Sequence, residues 1–94
     1  MNDTNNISLT YFDSELRNLI EEYITQQKAE FTFTGVCSYI AYWAMEDGKK
    51  SGHSNIIYES NQIQPDDQDR VRRVLGTIIR DGRITASGET YYKA

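Results

Sequence analysis

One cysteine, one histidine and one proline in 94 residues leave little room for whole classes of function. Cys37 has no second thiol in the chain, which excludes an internal disulfide, and with His53 as the sole imidazole no zinc ligand set can be assembled. Long apolar runs are missing as well. No stretch approaches the roughly eighteen residues of a membrane span, and the opening MNDTNNISLTYF has neither the basic nor the apolar region of a secretory leader. The expectation is a cytoplasmic protein with no membrane partner, in which Asn2-Asp3-Thr4 and Asn6-Ile7-Ser8 match glycosylation sequons by chance. Catalytic signatures are lacking too: there is no glycine-rich phosphate loop and no serine elbow. Glu21-Glu22 and Glu46-Asp47 read as solvated helix surface, so no enzyme activity, metal or cofactor is expected.

What is present is an ordinary soluble composition, 38% hydrophobic and 26% charged, with seven tyrosines to supply buried area. The length suits one domain with one core. The net charge of −4 argues against a nucleic-acid ligand only until it is divided along the chain. Residues 1–67 carry four basic groups against eleven acidic ones, whereas residues 68–94 carry six basic groups against three. A basic C-terminal third on an acidic body is compatible with a surface that faces phosphate.

Residues 1–9 are polar, Asn-rich and without period, and are expected to form a flexible tail before a domain spanning 10–94. The pattern predicts helix 1 from near Thr10, with Thr10 and Asp13 at capping-box spacing and Phe12, Leu16, Leu19, Ile20, Tyr23 and Ile24 on its buried face. Phe31 and Phe33 alternate around Thr32 as in a short half-buried strand. Thr34 is then placed to cap helix 2, whose stripe is Val36, Ile40, Trp43 and Ala44 and whose stop is Gly48 with two following lysines. Cys37 is read as a small buried residue. Tyr39 and Tyr42 fall on the other face and suit a subunit interface. Residues 49–65, rich in Gly, Ser, Asn and Gln but punctuated by Ile56, Ile57, Tyr58 and Ile63, read as an ordered loop carrying a solvated His53.

The most informative stretch runs from Asp66 to Ala94. Val71, Val74, Leu75, Ile78 and Ile79 recur at i, i+3, i+4, i+7 and i+8, a single buried stripe of helix 3. Pro65 suits the helix start, Asp66, Asp67 and Asp69 suit the positive end of its dipole, and Gly82 suits a left-handed stop. Beyond it, Ile84 to Ala86 and Glu89 to Tyr92 alternate around a Ser87-Gly88 loop, which sets Ile84 opposite Tyr91. Opposite the helix stripe lie Asp69, Arg73, Gly76, Thr77 and Arg80, flanked by Arg70 and Arg72. Arg73 and Arg80 are two turns apart, about 10 Å. Arginine's planar fork suits phosphate or guanine, and a mid-helix glycine, which costs about 1 kcal/mol relative to alanine, permits close approach of a backbone.

Helix, short strand, helix, helix, hairpin resembles the winged helix-turn-helix superfamily over Thr10 to Ala94, and "VRRVLGTIIRDGRIT" looks like that family's passage from recognition helix to wing. The resemblance implies an α+β fold, a small winged helix of three helices with a short strand and a C-terminal β-hairpin wing. It further implies duplex DNA as partner, with helix 3 in the major groove and the wing on the backbone. Transferred residue by residue, the contacts are Arg70, Arg72, Arg73, Thr77 and Arg80 on helix 3, with Arg83, Thr85, Ser87 and Lys93 on the wing. A transcriptional regulator, or a replication or mobile-element accessory factor, is the corresponding role, and a homodimer joined through helix 1 or helix 2 would double the basic surface. Two departures stand out: about sixteen residues join helices 2 and 3 where the motif uses about 3–4, and three aspartates open helix 3. The alternative is an acidic winged-helix interaction module, such as a phage- or plasmid-encoded inhibitor, that docks on a basic protein partner and binds no DNA.

Overall fold

Leu16, Ile20 and Ile24 recur every fourth residue and are buried along one side of helix α1, Asp13–Gln26. A computed structural model describes residues 9–50 and 63–94. After α1 come strand β1 (Glu30–Thr32), helix α2 (Phe33–Lys50), helix α3 (Pro65–Arg80) and strands β2 (Ile84–Ser87) and β3 (Thr90–Lys93). The chain is thus an α+β domain of three helices and one three-stranded antiparallel sheet among the described residues. Residues 1–8 and 51–62 lie outside them, including His53, Ile56, Ile57 and Tyr58 of the expected loop.

Sheet order is β1-β3-β2, so the last strand is central and the short strand after α1 joins the hairpin. Phe31 stands opposite Tyr91, and their rings stack at 5.4 Å; Tyr23 of α1 meets Phe31 edge-on at 5.8 Å. These rings tie sheet to helices. Around them close Val36, Cys37, Ile40 and Ala41 of α2, Val71, Val74, Leu75 and Ile78 of α3, and Ile84 of β2. Each large apolar side chain buried in this way contributes about 1.5–3 kcal/mol before the cost of ordering the chain. Leu9, the last residue of the expected tail, belongs to this core at 7% exposure, and Ile63 enters it from the other end of the undescribed segment.

Several local expectations shift. Helix α1 starts at Asp13, not near Thr10: the Phe12 amide is bound by the Glu15 carboxylate at 2.8 Å, so the reaching-back residue is the longer glutamate three positions on. Phe12 itself is 75% exposed and leaves the predicted buried face. Phe33 opens α2 instead of closing β1, and the cap is the Thr32 hydroxyl, which accepts the Gly35 N–H at 3.1 Å, so Thr34 is not the capping residue. Helix α2 continues past Gly48 to Lys50, and its buried stripe is Val36, Cys37, Ile40 and Ala41, with Trp43 and Ala44 half-buried beside it.

Helix α3 ends as its sequence predicts. Gly82 takes φ of 78°, its N–H donates to the Ile79 carbonyl at 2.9 Å, and the Arg83 N–H donates to that of Ile78 at 3.3 Å, which together form a Schellman stop. In the hairpin the two-residue loop is Gly88-Glu89, and Ala86, not Ile84, stands opposite Tyr91. The slip is two residues, and two is the side-chain period of a strand. Ile84 and Tyr91 therefore still face the core while Thr85 and Tyr92 still face outward. Gly88, with φ of 62°, takes the first central position that this tight turn reserves for glycine.

Candidate nucleic-acid interface

The face of α3 opposite its core stripe carries Arg73, Gly76, Thr77 and Arg80, as the helical period requires. Arg73 and Arg80 are exposed and make no ion pair among the described residues. Between them, a Cβ added to Gly76 would meet nothing within 4 Å among the described residues beyond its own helix backbone. No packing among the described residues demands glycine there. Arg73 and Thr77 also line a groove of about 310 Å³ with Asp13, Ser14 and Arg17 of α1 and Val74 of α3.

The other predicted cations are already engaged within the protein. Arg70 reaches back to the N-terminal segment: its guanidinium donates to the Tyr11 carbonyl at 2.5 Å, to Asp13 at 3.0 Å and to Asp67 at 3.2 Å. The Asp67 carboxylate, 8% exposed, also accepts the Leu9 N–H at 2.9 Å. Of the three aspartates expected to serve the helix dipole, this one lies in the first turn of α3 and also straps residues 9–13 across the start of the helix. Tyr11 completes the strap through a hydrogen bond from its hydroxyl to Asp47 of α2, and burial together with that bond holds its phenol above the ordinary tyrosine range. Arg72 forks onto Glu89, Arg83 lies 3.4 Å from Glu21, and the Lys93 ammonium donates to the Gln27 carbonyl at 2.9 Å.

Thr77 is half-buried; its hydroxyl donates to the Val74 carbonyl at 2.6 Å and accepts from Arg17 at 3.2 Å. Thr85 and Ser87 are exposed on the outward side of β2. The structure thus brings Arg73, Gly76 and Arg80 together on one open face and draws Arg70, Arg72, Arg83 and Lys93 into contacts with carboxylates or carbonyls.

Arg17 was not legible as part of this surface. Its side chain leaves α1, pairs with Glu21 at 2.7 Å and Asp81 at 2.5 Å, and thereby stands at the groove that Arg73 lines. The i, i+4 spacing of Arg17 and Glu21 signals the first pair, but the link to Asp81 crosses 64 positions and exists only once α1 and α3 pack together.

The remaining chemistry is sparse. Among the described residues no group of three or more His, Cys, Asp or Glu could hold a metal, and no helix is long and apolar enough to cross a membrane. Cys37 is buried against the core, and that burial pushes its thiol up to about 11. Tyr39 donates to Glu22 at 2.7 Å and packs on Tyr23 and Trp43, while Tyr42 remains 53% exposed. No family model, curated protein or solved structure matches the chain.

Proposed function

We propose that this is a winged-helix protein that binds duplex DNA, with α3 laid in the major groove and Arg73 and Arg80 as its principal phosphate contacts. The observation that carries the reading is the open face of α3: two arginines without ion pairs, on either side of a glycine that no packing requires, among the described residues. A helix interior replaces glycine by alanine at a gain of about 1 kcal/mol unless something must come close, and a phosphate backbone is such a visitor. The strand that joins the hairpin supports a wing held rigid by β1 and α2. A twofold dimer would place two such helices in successive major grooves, which suits a regulator or an accessory factor of replication or of a mobile element.

Fluorescence anisotropy with labelled duplex DNA at low salt tests the reading. Saturable binding that weakens in Arg73→Ala and again in Arg73→Ala/Arg80→Ala supports it, and the absence of binding sinks it.

One observation favours a second reading, an acidic docking module for a basic protein. Arg70, Arg72 and Arg83 are paired with carboxylates of the same chain, which leaves a smaller positive surface than the sequence implies. Association with a basic polypeptide by a protein that shows no DNA binding would select it.

A further inference from the structure

Arg72 lies off the buried stripe of α3, yet its guanidinium is occupied. Nη1 and Nη2 donate to the two carboxylate oxygens of Glu89 at 3.0 and 3.1 Å, and Cζ sits 3.8 Å from the centre of the Phe33 ring. This is the parallel two-bond geometry with which arginine grips any oxyanion that presents two equivalent oxygens, a phosphodiester included. The ring beneath fixes the plane of the fork. Glu89 arrives from the turn between β2 and β3, and its carbonyl accepts the Phe33 N–H at 3.0 Å, which anchors the turn to the start of α2. The pair is open to solvent, with the Arg72 side chain 45% exposed and that of Glu89 62% exposed. An incoming anion needs only a rotation of the Glu89 side chain to reach the fork.

We propose that Glu89 is an internal competitor for the phosphate site of Arg72, a carboxylate that caps a preorganised fork and limits the affinity of this face for duplex DNA. The inference rests on the DNA-binding reading above and adds to it a regulated third contact beside Arg73 and Arg80. Exchange keeps the hydrogen-bond count: the two N–H groups pass from carboxylate to phosphate, and Glu89 returns to water. The same face can then bind weakly with Glu89 in place and more tightly with it displaced.

The test is an anisotropy titration of the full chain with a fluorescein-labelled random-sequence DNA duplex over a potassium chloride series. Glu89→Gln is expected to tighten binding about three- to tenfold at low salt and to steepen the log–log salt dependence by about one unit, the signature of one added phosphate contact. Glu30→Gln is the control. It removes the same charge from the neighbouring strand β1, where Glu30 makes no ion pair among the described residues, and should leave the slope unchanged. Arg72→Gln/Glu89→Gln, which removes the fork and its competitor together, should return the slope to that of the parent.

Equal slopes for Glu89→Gln, Glu30→Gln and the parent, with binding intact, overturn the competitor and leave the DNA-binding reading standing. A slope in Arg72→Gln/Glu89→Gln about one unit shallower than the parent's also overturns it, because Arg72 would already be on the phosphate. No binding by any of the proteins at low salt overturns both.

Discussion

Removing the Asp67 carboxylate leaves the buried Leu9 N–H without its acceptor and takes from Arg70 one of its three partners. Asp67→Ala is therefore expected to destabilise the fold by about 1–3 kcal/mol, as read by urea unfolding, with release of residues 9–12 visible as faster amide exchange at Leu9. Asp66→Ala, one residue away but exposed, should be near neutral. Nothing in the sequence separated these neighbours, since all three aspartates fit the helix dipole equally well, and only the return of the N-terminal segment selects Asp67. Cys37 is the opposite case, because a small residue one position from Val36 on an apolar helix is expected inside. With its thiol pushed up to about 11 by burial, alkylation by iodoacetamide near neutral pH should be slow in the folded protein and become rapid in denaturant. Fast alkylation of the native chain would place Cys37 at the surface.

Periodicity read the helices well because a 3.6-residue stripe is a property of neighbours along the chain. It placed Val71, Val74, Leu75 and Ile78 in the core, and Pro65 and Gly82 at the ends of α3. Ends set by a side chain's reach were less legible: Glu15 caps from farther along than Asp13 would, and Thr32 caps where Thr34 was expected. The hairpin loop moved from 87–88 to 88–89, yet faces survived because the slip was even. At this scale Gly76 gives the sharpest test. With nothing outside the helix backbone within 4 Å of the place an alanine methyl would take, among the described residues, Gly76→Ala should raise stability by about 1 kcal/mol in thermal or chemical unfolding while weakening the proposed DNA binding. A gain in stability with unchanged affinity would show that no backbone approaches α3 there.

Across the whole molecule, charge is organised by tertiary contact more than by position along the chain. The basic C-terminal third that sequence suggested is partly neutralised by α1 and by the hairpin turn: Glu21 takes Arg83, Asp13 takes Arg70 and Glu89 takes Arg72, while Arg17 of α1 takes Asp81 and so offsets one of that third's own acidic groups. These partners lie far apart in sequence, so the candidate face could be located from sequence but its free charge could not be counted. The same pairs couple stability to pH. Hydrogen bonds from Arg17 and Arg72 hold the carboxyls of Asp81 and Glu89 below their ordinary values in the folded state. A depressed folded value stabilises above the unfolded one, and that stabilisation is lost as pH falls through the folded value. The melting temperature should therefore drop as pH is lowered through and below about 4, and the drop should be shallower in Arg17→Gln, which removes the Asp81 pair.

The salt dependence of duplex binding bears most directly on the proposed recognition of DNA by α3. Two unpaired arginines, Arg73 and Arg80, predict a log–log slope near −2 per protomer, whereas the six basic groups of residues 68–94 acting together would give about −5. A slope near −2 that falls toward zero in Arg73→Ala/Arg80→Ala is the expected result. Binding that ignores salt, or a slope that the double substitution leaves intact, would contradict recognition through this face.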